Sequence, residues 1–251
     1  DVSNAQVFVQ KTDGWLQFYA QFGAYSFPTV GVGYLKATST EPATFGYVPE
    51  AYVKLQGEGD WSAFSLEGGK LPTLIGDEYG FTFQNMNIER GLLWNVEPIV
   101  STGVQANYSN GPLTISVSWN DGTYAKTWNW ISGLVSYGFN GGADTVVFSA
   151  GGNLGKGNFS FLNSGSVYDL IWTHTSGPWV ISPYIQYNVT PKGFLAKGST
   201  VFGGALLTSY AFDDHWKLAG RVEYESESGH AGVFTTPDII GLAGSIKLTS
   251  F

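Results

Sequence analysis

The sequence predicts an all-β fold: a transmembrane antiparallel up-and-down β-barrel of about twelve strands, with short periplasmic turns and long extracellular loops. Three observations predict it. Apolar and polar residues alternate with period two, as in Leu113, Ile115, Val117 and Trp119 against Thr114, Ser116, Ser118 and Asn120. That period is the signature of a strand with two different faces. The polar face carries the charges, as in Lys217, Arg221, Glu223 and Glu225 set against Trp216, Leu218, Val222 and Tyr224, and little polar sequence is left to coat a second surface. The third observation is that short and long connections alternate along the chain. A barrel with its apolar face toward lipid and its polar face toward a wet lumen satisfies all three.

Composition agrees. Charged residues are 13% of the 251, about half the roughly 25% of soluble domains. Aromatics reach 16%, with 9 Trp, 14 Tyr and 17 Phe, and glycine occurs 34 times, which fits aromatic girdles and glycine-rich turns. Mean hydropathy is near zero, because lipid-facing and lumen-facing residues cancel. There is no run of about 18 apolar residues to make a membrane helix. Cysteine is absent and the net charge is −8. Disulfides and thiolate metal sites are therefore excluded, and nucleic acid is not an expected partner. The chain begins at Asp1 and reads as a mature form with its targeting segment removed. Residues 1–251 read as a single outer-membrane β-barrel domain.

The elements follow in order. Residues 14–26 place Leu16, Phe18, Ala20 and Phe22 outward and Gln17, Tyr19 and Gln21 inward. Residues 46–57 place Val53 and Leu55 outward and Glu50, Tyr52, Lys54 and Gln56 inward; the Gly57-Glu58-Gly59-Asp60 turn leads to a strand over 61–70. Strands follow at 99–109 and 113–120, joined by Ser109-Asn110-Gly111-Pro112, and at 129–139 and 143–151, joined by Asn140-Gly141-Gly142. The last five are 166–175, 179–189, 200–212, 216–226 and 239–251. An even strand count puts both termini on the periplasmic side. Pro183 cannot donate to a ladder, so a bulge is expected there. The run 201–207 is apolar on both faces and leaves its orientation open. Barrels of this kind commonly end in an outward aromatic; Phe251 fits by identity, but strict parity turns it inward.

The connection 71–98 is long for a structureless loop. Its second half, Asn85 to Leu93, is apolar enough to pack against something, and folding into the lumen would satisfy it.

Three stretches resemble the β-barrel porin-2 (OmpL-like) family of Gram-negative outer membranes. They are Glu67-Gly68-Gly69-Lys70-Leu71-Pro72-Thr73-Leu74-Ile75-Gly76-Asp77-Glu78; Ile88-Glu89-Arg90-Gly91-Leu92-Leu93 with Pro98 and Ser101-Thr102-Gly103-Val104; and Ile181-Ser182-Pro183-Tyr184-Ile185-Gln186-Tyr187 with Gly203-Gly204-Ala205-Leu206-Leu207 and Leu218-Ala219-Gly220-Arg221-Val222-Glu223-Tyr224. The resemblance covers most of 46–226. It implies an outer-membrane porin-like channel for passive diffusion of small hydrophilic solutes or ions. It also implies lipid and lipopolysaccharide as neighbours and carries over no catalytic residues. Relatives usually have further strands after the position of Tyr224, where this chain has room for one. A barrel hydrolase of lipid or polysaccharide, or a plugged structural barrel, is the alternative.

The residues of interest face inward. Glu50, Tyr52, Lys54, Asp169, Tyr184, Arg221, Glu223 and Glu225 either line a pore and set its ion preference or cross-pair to fill the lumen. Asp77, Glu78, Glu89 and Arg90 either form a constriction or make a salt bridge within the loop. The inward acids outnumber the inward bases, so mild cation preference is expected. No cofactor is called for. His174, His215 and His230 lack metal-ligand spacing. His174 lacks the serine motif that a hydrolase of the lipid face would need. Glu58 and Asp60 fail a glucanase pattern, because Ala63 stands where a second catalytic Glu would be.

Overall fold

A computed structural model describes residues 4–31, 33–155, 165–192 and 198–228, and the backbone of 238–248. The described residues form thirteen strands in one antiparallel sheet, each paired with its neighbour in sequence. They are β1 (Ala5–Lys11), β2 (Leu16–Ala24), β3 (Ala51–Gln56), β4 (Phe64–Pro72), β5 (Val100–Asn110), β6 (Leu113–Asn120), β7 (Trp130–Phe139), β8 (Asp144–Asn153), β9 (Ser166–Ser176), β10 (Trp179–Thr190), β11 (Ser199–Ala211), β12 (Trp216–Ser228) and β13 (Asp238–Leu248). A short helix, α1 (Ala37–Ala43), lies between β2 and β3. No helix among the described residues is long and apolar enough to cross a membrane.

The burial pattern is inverted relative to a soluble barrel. On β6 Val117 and Trp119 are 48% and 49% exposed, while Ser116 and Ser118 between them are buried at 5% and 2%. On β12 Val222 and Tyr224 are exposed, and Arg221, Glu223 and Glu225 are buried. Burying charge while exposing large apolar side chains is costly in water; it is the stable choice when the outside is hydrocarbon.

Two aromatic belts bound the apolar band. Trp61, Phe64, Tyr108, Trp179, Tyr210 and Trp216 cluster at the end of the short turns, with Phe64 on Tyr108 and Trp179 on Tyr210 at 4.9 and 4.8 Å. Trp119, Trp128, Tyr168, Tyr187, Phe202 and Tyr224 stand at the loop end, where Trp119 meets Trp128 at 5.4 Å. Trp216, the first residue of β12, and Tyr224, eight residues along it, are separated by about 26 Å of strand. Tilted by about 40°, that is roughly 20 Å of height, close to the apolar band of such barrels. Val117→Arg should therefore cost about 2–4 kcal/mol of folding stability in bilayers. Asn107→Arg, at the same depth but facing inward, should cost much less. Urea titrations of refolding into lipid vesicles would measure both, and equal costs would remove β6 from the membrane.

The structure corrects two expectations. Strand β1 was not expected, and with it the described residues carry thirteen strands, in keeping with the about twelve expected. With that strand Ala5 lies at the loop end and Leu248 at the turn end, so the two are not on one side. Pro183 makes no bulge: β10 keeps one register with β11 through Pro183↔Leu206. Its register with β9 is the same on both sides of the gap at 182–183, Ile181↔His174 and Tyr184↔Ile171. The missing N–H costs ladder bonds without inserting a residue. The open orientation of 201–207 is also settled: Phe202 and Leu206 face out, while Val201, Ala205 and Leu207 face in. Phe251 and His230 lie outside the described residues.

Candidate functional site: the occupied lumen

Two long connections at the loop end meet the inward face of the barrel. Residues 73–99, between β4 and β5, lie across β9 to β12. Leu93 packs with Ile171, Tyr184, Ala205 and Leu207, all inward. Amide and carbonyl groups of the segment are taken up by the wall: Gln186 Nε2 donates to the Leu93 carbonyl at 3.2 Å and Asn188 Nδ2 to that of Val96 at 2.9 Å. Residues 25–50, between β2 and β3, add Tyr25, Phe27 and Phe45, which pack with Phe81 and Val100.

Arg221 is the centre of the contact. Its Nη1 donates to Glu78 Oε1 and to the Glu89 carbonyl, both at 2.7 Å, and its Nε donates to Glu223 Oε2 at 2.9 Å. The two carboxylates reach back to the segment: Gly91 N donates to Glu78 Oε2 at 2.7 Å and Leu92 N to Glu223 Oε2 at 2.9 Å. A Cβ at Gly91 would sit 1.9 Å from Glu223 Oε1, so a larger residue there would push that carboxylate off its contacts. Gly203 on β11 makes the matching space for Leu93, since its Cβ would lie 2.1 Å from Leu93 Cδ2.

Arg90 is fully buried and joins the two long connections. Its guanidinium donates to Thr82 Oγ1 at 3.0 Å and to the carbonyls of Gly80, Ile88 and Pro28. Phe27 and Trp94 flank it at 5.9 Å. The backbone does the same work, with Arg90 N donating to the Pro28 carbonyl and Val30 N to that of Arg90, each at 2.9 Å.

The acids are spread along this contact. Ser182 Oγ donates to Asp77 Oδ2 at 2.7 Å. Gly76 N and Ser149 Oγ both donate to Asp169 Oδ2 at 3.1 Å. Glu97 is buried beside Gly76. Burial pushes the Glu97 carboxyl well above its usual range, and Asp169, Glu78, Asp77 and Glu223 push the same way. Burial also raises Glu78 to about 7 against the opposing pull of Arg221. It raises Asp77 and lowers Arg90 to about 10. Among the described residues no group of three or more His, Asp or Glu is placed to hold a metal ion.

The structure thus brings Glu78, Arg221 and Glu223 together, with the Glu89 carbonyl. The Glu89 side chain is exposed, and Arg90 turns to Pro28 and Thr82. Tyr184 and Glu225 are buried on the same wall, and Glu50 is buried beside β3. Tyr52 and Lys54 stand apart, on the half-exposed side formed by β1 to β5, where Lys54 lies 3.7 Å from Glu67 and Tyr52 stacks on Tyr19 at 5.5 Å. Sequence reasoning missed the part played by 25–50, although Tyr25, Phe27 and Phe45 signal a packed segment. His174 Nδ1 lies 2.8 Å from Asp144 Oδ1, which also accepts from Trp172 Nε1 at 2.9 Å. His215 sits in an exposed turn.

Between segment 73–99 and the wall the described residues leave voids of about 20 Å³, by Val96, Trp130 and Asn188, and about 10 Å³, by Thr73, Gln105 and Asn120. Each has room for about one water. That side of the lumen is filled, and the half-exposed polar residues lie on the other.

None of the curated protein sequences is a match to the chain. Among solved structures it is similar to a porin refined at 1.8 Å resolution, with 14% identity, a TM-score of 0.51 and coverage of 97% of this chain and 91% of that one. It is also similar to a loop L8 deletion mutant of OmpT, an outer membrane protein of Vibrio cholerae, with 11% identity, a TM-score of 0.50 and coverage of 96% and 78%. Identities this low speak for the fold alone, and they agree with the inverted burial and the paired belts. Residues 1–249 match the family described as Putative beta-barrel porin-2, OmpL-like. The chain belongs to that family, and its place is the bacterial outer membrane.

Proposed function

We propose that the protein is a channel for passive diffusion of small hydrophilic solutes and ions, with mild cation preference and no catalytic step. One observation carries the reading: on the side of the lumen that segment 73–99 does not fill, the polar inward side chains Gln17, Lys54, Gln56 and Glu67 of β2 to β4 are only partly buried. A narrow wet path along β2 to β4, with Glu67 on it and the buried acids Asp169, Glu223 and Glu225 on the opposite wall, favours cations through the summed field of the lumen. Arg90 and Arg221 offset that field only in part, and the same acid excess supports the preference. Small hydrophilic solutes are the partners, with membrane lipid and lipopolysaccharide outside.

The test is a planar-bilayer recording in a potassium chloride gradient. The reversal potential should report cation preference. Glu67→Gln with Glu225→Gln should move it toward anions, and the difference should fade at 1 M salt, where screening acts within about 3 Å. Anion preference in the unmodified protein would reject the selectivity. A folded barrel with no conductance would reject the channel.

A further inference from the structure

The filled side of the lumen is explained by the latch around Arg221. The other side carries a feature that the latch does not use. Four aromatic rings follow one another along the inner wall. Phe83, from segment 73–99, stacks on Phe81 at 6.3 Å with one face and meets Phe8 of β1 edge-on at 5.0 Å. Phe8 meets Tyr19 of β2 at 6.2 Å, and Tyr19 stacks on Tyr52 of β3 at 5.5 Å. Phe8 and Phe83 are 41% and 48% exposed, and both tyrosines are half-exposed. The series steps inward from the loop end between Phe8 and the tyrosines, because Phe8 pairs with Gln21, one inward step above Tyr19, and Tyr19 and Tyr52 stand side by side as cross-strand partners. One step below Tyr52 lies the Lys54–Glu67 pair at 3.7 Å.

Exposed rings in a lumen need an explanation. Rings that only filled space would be buried, as Tyr25 and Phe81 are at 0% exposure. Rings in contact with lipid would point outward, yet Tyr19 and Tyr52 share the inward face with Gln17 and Lys54. An open ring face offers an apolar, weakly negative surface. The charged pair beside it offers donors and acceptors. A solute with apolar C–H faces and hydroxyl edges matches both at once, as ligand sites match their ligands.

We propose that the rings of Phe83, Phe8, Tyr19 and Tyr52, with Lys54 and Glu67 at their inner end, form a binding lane for neutral oligosaccharides. The proposal rests on the reading that solutes cross this lumen. The rings hold the sugar faces, the charged pair takes hydroxyls, and the series leads a chain from the loop end past Phe8 and the paired tyrosines.

Maltohexaose is the probe. In a planar bilayer it should block the ion current of the unmodified protein saturably. Tyr19→Ala with Tyr52→Ala should raise the half-blocking concentration about tenfold or more and raise ion conductance, because the path widens. Tyr52→Phe, which keeps the ring, should block like the unmodified protein. A conducting channel that maltohexaose does not block would overturn the lane and leave the channel reading standing. So would equal block in the alanine variant, or block by benzoate but not by maltohexaose. If no current flows, calorimetry on the protein in detergent decides the lane by itself: ring-dependent heat of maltohexaose binding supports it, and no binding overturns it.

Discussion

Deleting residues 74–92 should raise single-channel conductance by roughly threefold or more, because barrels with more than about eight strands leave interior space that something has to fill. Here residues 74–92 fill it, through Asp77 on Ser182 and through Glu78 and the Glu89 carbonyl on Arg221, and they hold the adjoining Leu93 against Ile171, Tyr184 and Leu207. The deletion removes Gly76, Asp77, Glu78 and Glu89, and with them the segment's polar contacts to Asp169, Ser182 and Arg221. The strands and their ladders stay. Strand content by circular dichroism would show that the barrel still forms. Gly203→Leu is the second variant: it leaves the segment in the chain and removes the space for Leu93, so it should raise conductance too. A folded deletion variant with unchanged conductance would place the current path away from this segment.

Arg221→Met should destabilise the folded state by about 3–5 kcal/mol, the usual result of removing one partner from a buried ionic group. Glu78 and Glu223 would both lose their cation while staying at 2% exposure. Removing the carboxylates as well, with Glu78→Leu and Glu223→Leu, should restore most of the loss, because a buried ionic group is costly chiefly when broken. Denaturant titration in lipid vesicles gives the numbers; a single variant within 1 kcal/mol of the unmodified protein would show that the node does not hold the segment.

The same node has a pH dependence whose sign is fixed by burial. Glu78 goes from 4.5 to about 7 on folding, and Glu97 rises as well. Between those values the folded state holds protons that the unfolded state has released. The contribution is fully present below about 4.5 and is lost as pH rises through 7. Protease cleavage within 73–99 should therefore increase from pH 5 to pH 8. In Arg221→Met the rise should start at the same pH but continue to higher pH and be larger, because Arg221 is what lowers Glu78 in the folded state.

Much of the fold was legible in the sequence, because a strand in a barrel records its surroundings locally. Period-two alternation in 113–120 and 216–226 is set by lipid on one side and water or protein on the other, so each strand announces its own two faces. The inward assignment of Glu50, Tyr52, Lys54, Asp169, Arg221 and Glu223 follows from parity alone. Strand β1 escaped because it is seven residues long, with Gln6, Gln10 and Lys11 interrupting its apolar run; only its ladder with β2 identifies it. Pro183 reads as a bulge because sequence shows the missing donor but not the ladder on the other side, which keeps the register.

What fills the lumen was decided by tertiary structure. Parity places Arg221 and Glu223 on one face, but it does not say that Glu78, far away in the chain, completes their contact, or that Gly91 and Gly203 are the spaces that let the segment close. The orientation of the doubly apolar run 201–207 came from the same source, through Leu93. The reason is physical. Alternation reports the solvent next to each residue, and the lumen is a solvent whose composition depends on which distant segment occupies it.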